Sequence, residues 1–431
     1  MSSLTTFVLL FAVFPALLVC AQTDMFEEAP IRYSERSPND ILAKRGKEIA
    51  AGMAERKPGL PQLRYLLKEL DIPESSQCLV FSKTSLQVGH IHPGNPRAIY
   101  FNDDLYVGYV PGGDIELSTV DPKLGAVFYL IPNDKIGVDE HPFVRQARCM
   151  DCHGGSRTRG WPGFLVRSVY TQRSGQPDFS RGSFLSTDAS DFRERWGGWY
   201  VSGSIGDTKH MGNRVLDGKD LVPAFKGKLA DQFDTERYPV TSSDALALLL
   251  LEHQTSAHNV LIRANLEFQR AVHMRAGIAK ALGEPEDGAL RGSALTVAKS
   301  QVEKVLDVLL FKDEHRFDGE VAGLGKFEKT FLAKRKANKE GRSLRDLRMD
   351  GRMFSHRCSY MIHSQSFDHL PDTLKAMVYK RLLQILLGED DSRRYQHLRP
   401  LERKRILQIL VETKKGLPAA FGEALAAGKP F

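Results

Sequence analysis

Apolar positions along this 431-residue chain fall into three regimes. The first is an almost unbroken apolar run at residues 4–19. The second consists of short apolar bursts, set apart by Asn, Asp, Gly and Pro. They are Cys78-Leu79-Val80-Phe81, Arg97-Ala98-Ile99-Tyr100-Phe101, and residues 105–110, 115–120 and 126–131. Asp103-Asp104 and Pro111-Gly112-Gly113 punctuate them. Bursts rich in Val, Ile, Tyr and Phe with such punctuation predict an antiparallel β-meander. Strand-like character returns at 164–170 and 198–202. The third regime begins near Leu221 and is helical. Ser242-Ser243-Asp244 offers an N-cap for a long helix reaching about Ala281. Its start, residues 245–251, is apolar all round, which predicts a buried helix. Residues 295–310, 373–387 and 400–413 predict three more.

Helical spacing also precedes the meander. Ile41, Leu42, Ile49 and Met53 share one face of a helix that begins after Asn39 and is broken by Pro58 and Pro61. A shorter helix is expected at 63–70. Residues 22–37 read as an extended, loosely held lead-in. Residues 331–352, rich in Lys and Arg, read as an exposed helix or loop. The expectation is an α+β fold: a signal peptide at 1–21, a helical lead-in at 22–75, a β-rich region at 76–218 and a mainly α-helical region at 219–431.

Composition is that of an ordinary globular protein, 42% hydrophobic and 26% charged. The N-terminal apolar run ends at Val19-Cys20-Ala21, a small-residue cleavage site, although no Lys or Arg precedes it. The run is short for a membrane span of about 20 residues, so a cleaved signal and a periplasmic or secreted address are expected. No later stretch is long enough to span, so no transmembrane domain is expected in the mature chain. The first 21 residues carry no charge, and the mature chain keeps the formal net charge of +7. A mildly basic surface suits an acidic redox partner, as yet unidentified. No nucleic-acid partner is expected.

The chemistry concentrates at Cys149-Met150-Asp151-Cys152-His153. In this C-x-x-C-H order two thiols can add to the two vinyl groups of one porphyrin, and the histidine falls beneath the iron. A thioredoxin-like pair would not need His153. A zinc site would need a second ligand pair, which the sequence lacks. One covalent haem c, held by Cys149, Cys152 and His153, is therefore expected. Lys209-His210-Met211-Gly212-Asn213 offers both common sixth ligands, Met211 and His210. His253 and His258 offer others, but they lie about 140° apart around one helix and cannot both face one iron. Absence of a protein sixth ligand also stays open. Trp161, Trp196 and Trp199 either wall a haem crevice or are core aromatics. Cys78 and Cys358 either form a disulfide or are separately buried thiols. His90 and His92 form an H-x-H pair with no third ligand in sight, and His363 and His369 are equally unsupported.

Taken together, the haem motif, Arg157-Thr158, Pro162-Gly163, Trp196-Gly197-Gly198-Trp199-Tyr200 and His210-Met211-Gly212-Asn213 resemble a family of exported bacterial cytochrome c-like proteins with one haem motif. Pro96-Arg97-Ala98-Ile99-Tyr100-Phe101-Asn102-Asp103 and the helix around His253 and His258 extend the resemblance over most of the mature chain. It implies covalent haem, a periplasmic address and His153 as iron ligand, and it brings no assigned reaction. One-electron transfer is the leading expectation. A haem enzyme such as a peroxidase or oxidase is the alternative, for which the chain's length argues. A sensor or assembly protein is a third reading.

Overall fold

The computed structural model describes residues 24–132, 143–284, 288–390 and 392–428. The apolar N-terminal run, Cys20 and His141-Pro142 lie outside the described residues. Six strands follow one another across a single sheet in chain order: β1 (Cys78–Val80), β2 (Arg97–Phe101), β3 (Leu105–Tyr109), β4 (Ile115–Asp121), β5 (Gly125–Ile131) and β6 (Val144–Arg145). Each pairs antiparallel with the next, which is the meander expected from the sequence. Side chains alternate across the pleat. In β4, Ile115, Leu117, Thr119 and Asp121 are buried, while Glu116, Ser118 and Val120 are half-buried.

The buried face is tied to the lead-in helices α1 (Ile41–Ala54) and α2 (Leu60–Glu69). Asp40 caps α1, its Oδ1 accepting from the Leu42 and Ala43 amides at 2.7 and 3.0 Å. Its other oxygen accepts from the Tyr129 hydroxyl of β5 at 2.6 Å, so one carboxylate both starts the helix and anchors it to the sheet. The segment before α1 departs from the loose lead-in that was expected. Phe26, Ile31 and Tyr33 are fully buried. The Tyr33 hydroxyl donates to the Ala126 carbonyl, and the Arg145 guanidinium lies 4.0 Å over the Tyr33 ring. Three large apolar side chains in a short polar stretch give that segment a core of its own to join.

Strand register sets two rows on the opposite face. Ile99, Gly108, Glu116, Leu130 and Val144 lie opposite one another, and Phe101, Tyr106, Ser118 and Phe128 form the next row. The long helix α4 (Ala245–Leu282) packs over the second row. Asp244 caps it, accepting from the Leu246 amide at 2.8 Å, and its first eleven residues are buried, as the all-round apolar pattern predicts. Beyond it, α5 (Gly292–Leu309) packs on α4, α8 (Asp372–Leu386) on α5, α9 (Pro400–Thr413) on α8 and α10 (Ala419–Ala426) on α9. Two shorter helices, α6 (Lys326–Ala333) and α7 (Gln365–Asp368), also contact α4. Strands in the N-terminal half and a helical C-terminal region make the fold α+β. Among the described residues no helix is long and apolar enough to cross a membrane.

Between sheet and helices lie the turn helix α3 (Met150–His153), the hairpin β7 (Arg167–Val169) with β8 (Ser183–Leu185), and the small hairpin β9 (Leu216–Asp217) with β10 (Asp220–Leu221). Residues 198–202 do not form the strand expected there. They touch the edge of β1 through one bridge, Val80 to Trp199. Trp196 and Gly198 have φ of 65° and 82°, which bends the chain off the ladder. The basic 331–352 stretch is not a solvated face throughout. Arg345 is buried, pairs with Asp103 and stacks on Phe331 and Tyr360 at 4.5 and 4.4 Å. Helix also begins later than Leu221, at Ala245, after irregular chain with short 3₁₀ turns.

Candidate functional site

Cys149 closes a 3₁₀ turn (Ala147–Cys149) that runs directly into α3, so both thiols and the histidine ride on one helical stretch. Cys149 is half-buried and Cys152 exposed, and neither is in a disulfide. Burial, and next the Glu116 carboxylate, push the Cys149 thiol up to about 11. Gly154 follows because Phe26 packs against it. A Cβ there would meet the Phe26 ring at 2.7 Å. The tight approach belongs to the N-terminal segment, a reason the sequence did not suggest.

The His153 ring lies 4.3 Å from the Phe128 ring, centroid to centroid. Its Nδ1 is 2.7 Å from the Gly163 carbonyl. A carbonyl only accepts, so Nδ1 carries the proton and Nε2 presents a lone pair. Among the described residues nothing hydrogen-bonds to Nε2. Loss of hydration lowers the His153 pKa to about 4, so the ring stays neutral. The acceptor is itself fixed. The Gly163 amide donates back to the His153 carbonyl at 2.9 Å. Asn259 of α4 clamps Phe164, accepting from its amide at 2.7 Å and donating to its carbonyl at 2.8 Å. Outer support of this kind would orient the imidazole for a metal on its free nitrogen.

Around the turn, the sheet face is open and apolar. Val144 pairs with Leu130 on β6 and β5. Leu86 and Val88 sit on the loop whose Ser85 and Gln87 both donate to Glu116, at 2.8 and 3.0 Å. Phe179 lies under the Arg167 guanidinium at 5.1 Å, and Arg167 interacts electrostatically with Cys152. These four apolar side chains are each 41–53% exposed. Two guanidiniums flank the turn, Arg97 through its charge on His153 and Cys149, and Arg167. The Nε of each is buried without a partner. Arg97 is ion-paired with Glu116, while Arg167 donates to the Ser183 hydroxyl at 2.8 Å and has no carboxylate partner among the described residues. Two thiols, one free imidazole lone pair, an uncovered apolar rim and the Arg167 guanidinium fit a covalently held haem with acidic side chains.

The other candidate residues lie apart from this turn. Met211 is 4% exposed, and its sulfur accepts from the Ser168 hydroxyl at 3.9 Å. Ser168 neighbours Arg167 on β7, and successive strand side chains point to opposite faces. Met211 therefore packs behind the strand whose front faces Cys152. His210 packs against Trp196 at 5.1 Å, and its Nδ1 accepts from the Gly212 amide. Burial, then Arg214, lowers its pKa to about 4. The structure does not bring Met211 or His210 to the Cys149–His153 turn.

On α4, His253 has both nitrogens engaged, Nδ1 with Asp188 at 3.0 Å and Nε2 with the Ser359 hydroxyl at 2.6 Å. Ser359 also accepts from the Met361 amide. The order of groups is that of a serine, histidine and aspartate relay, but Ser359 and His253 are both 0% exposed, so the arrangement locks the core. His258 Nδ1 and the Tyr106 hydroxyl share a hydrogen bond at 2.7 Å, and the His258 Nε2 is buried without a partner. Burial, then His253, lowers its pKa to about 3. Phe164 and Phe128 stand between His258 and His153, at successive centroid distances of 5.6, 6.0 and 4.3 Å.

Trp161, Trp196 and Trp199 are all buried. The Trp199 indole donates to the Arg167 carbonyl at 2.7 Å and so braces β7. Cys78 and Cys358 are separately buried free thiols rather than a disulfide. His90 and His92 are exposed, and the His92 Nδ1 accepts from the Gly94 amide. His363 is half-buried and His369 exposed, and no group of three or more His, Cys, Asp or Glu side chains among the described residues could hold a metal ion. Sequence reading missed the Gly163 carbonyl, which has no side-chain signal. It also missed Phe128, which the alternation of 126, 128 and 130 places on the open face. No family model, curated protein or solved structure matches this chain.

Proposed function

We propose that the chain carries one haem c, attached through Cys149 and Cys152 and ligated by His153, and that it transfers single electrons outside the cytoplasm. The observation that carries the reading is the tautomer imposed at His153. With Nδ1–H held by Gly163, Nε2 is the free donor, one turn from both thiols. Bound there, a haem supplies a one-electron Fe(III)/Fe(II) couple. The chain's residues do the rest. Asn259 and Gly163 hold the imidazole in orientation, and Phe128 backs its ring. Cys152 and the apolar rim lie at the surface, where a partner can reach the group's edge. Arg167, which has no carboxylate partner among the described residues, offers charge to acidic side chains of the group and of a partner. The resemblance to exported single-haem cytochrome c-like proteins agrees with this reading.

A second reading, a haem enzyme, is favoured by one observation. Met211 contacts Ser168 and His210 packs on Trp196, away from the turn, so neither would serve as a second protein ligand to a haem held there. An exchangeable position is what an enzyme needs.

The test is to express the full chain with export and haem-maturation machinery, extract with acidified acetone, and record the alkaline pyridine spectrum. Retained haem at one per chain, with the spectrum of two thioethers, is expected. Haem that extracts freely overturns the attachment. Slow or absent carbon monoxide binding to the reduced protein supports the carrier, and rapid binding supports the enzyme.

A further inference from the structure

A cleft with about 350 Å³ of water-accessible space lies behind the haem turn, between residues 157–159, 185–189, α4, α5 and residues 312–314. That is within the size range of small-ligand sites. Its acidic groups are already committed. Asp188 holds His253, Asp307 holds Arg394 and Asp313 holds Lys312. Glu314 accepts from the Met353 amide, and burial raises its pKa to about 7, which leaves it largely uncharged in mildly acidic solution. The cations are less satisfied. Arg263 is held by Glu267. Among the described residues no carboxylate pairs with Arg157, Arg159 or Lys304, all of which line the cleft. Desolvation, and then the charge of Arg263, lower the Lys304 pKa, the Glu267 carboxylate opposes them, and Arg159 adds to the lowering. Unpaired cations converging on a cavity with neutralised acids are an anion site in electrostatic terms.

We propose that this cleft binds a small oxyanion bearing at least two negative charges, a polycarboxylate or a phosphate, held by Arg159 and Lys304 with Arg157 at the rim. The site is separate from the sheet-side rim of the haem turn and shares one wall with that turn. Thr158 donates to the His153 carbonyl at 3.0 Å. Occupancy therefore places negative charge on the far side of the segment that carries the thiols.

The experiment is isothermal titration of the full, exported, haem-loaded protein with citrate, succinate and inorganic phosphate in low salt, with sodium chloride at matched ionic strength as blank. One saturable site is expected for at least one of the three. Arg159→Gln and Lys304→Gln should each weaken it about tenfold or more, the usual effect of losing one charge-assisted hydrogen bond. Lys329→Gln, at an exposed position of α6, should leave it unchanged. Binding of the carboxylates alone identifies a polycarboxylate site, and binding of phosphate alone a phosphate site. Circular dichroism checks that the surface variants fold. Absence of saturable binding by all three anions overturns the proposal, as does binding that both cleft variants leave intact.

Discussion

The turn that carries His153 and the helix that carries His253 and His258 handle the same side chain in opposite ways. His153 has one nitrogen fixed by a backbone carbonyl and the other free. His253 has both nitrogens fixed, and His258 has one fixed and one sealed in the core. What separates a ligand from a structural histidine is the partner of the second nitrogen and whether anything can reach it. The helix spends its imidazoles on cohesion, and the turn keeps one in reserve.

The largest expected effect breaks that comparison at the thiols. Cys149→Ser with Cys152→Ser should abolish haem retention after acidified acetone, while a histidine change on α4 should leave it intact. Next comes the helix. His253→Leu keeps the volume but strands Asp188 and Ser359 in the core. A loss of about 3–5 kcal/mol is expected in urea unfolding, the usual cost of removing one partner of a buried pair. His153→Ala should move the Soret band yet cost much less stability. Comparable losses at both positions would mean that His153 is a structural histidine too. Asn259→Ala should cost about 1–3 kcal/mol through the unsatisfied Phe164 backbone, and should broaden the proximal environment in paramagnetic NMR spectra.

The acid and base limbs of stability sharpen the same contrast. Burial holds His153 and His210 near 4, and His258 and His363 near 3. The unfolded chain protonates them near the ordinary 6.5. Their contribution is therefore full above pH 6.5 and is lost as pH falls toward 4 and below. Burial raises Glu252 and Glu314 to about 7, above the ordinary 4.5. The folded chain binds those protons more tightly, so their contribution is full below pH 4.5 and is lost as pH rises through 7. Urea midpoints from pH 4 to 8 should trace a dome. With iron on Nε2, His153 cannot take its proton, so the acid limb should be shallower in the haem-loaded protein than in the Cys149→Ser, Cys152→Ser chain. Equal acid limbs would speak against iron at His153.

Much of this arrangement was legible in the sequence, for identifiable reasons. The meander was, because Val, Ile, Tyr and Phe bursts alternate with strong turn residues over 78–131. The start of α4 was, because Asp244 precedes an all-apolar run. Cys149, Cys152 and His153 stand within five residues of one another, and one helical stretch carries all three. The support of His153 was not legible, because it is a backbone carbonyl ten residues away held by an asparagine on α4. The burial of Phe26 and of Arg345 was not, because each depends on contacts distant in sequence, with Gly154 and with Asp103. The position of Met211 was not, because a glycine-flanked methionine reads alike whether its loop faces the turn or, as here, packs behind β7.

The smallest expected effect tests that last point. Leu and Met have similar volumes, so Met211→Leu should cost less than about 1.5 kcal/mol. The weak Ser168 contact to sulfur is lost, but the Ser168 oxygen still accepts from the Gly197 amide at 2.7 Å. With the sulfur behind β7, the visible spectrum and the reduction potential should stay unchanged, as they should in His210→Ala. Loss of a red-region sulfur-to-iron band in Met211→Leu alone would mean that haem attachment draws the 209–213 loop around the strand edge. That outcome would give the iron two strong protein ligands and favour the carrier. An unchanged spectrum, joined to rapid carbon monoxide binding, would leave the position opposite His153 exchangeable and favour the enzyme.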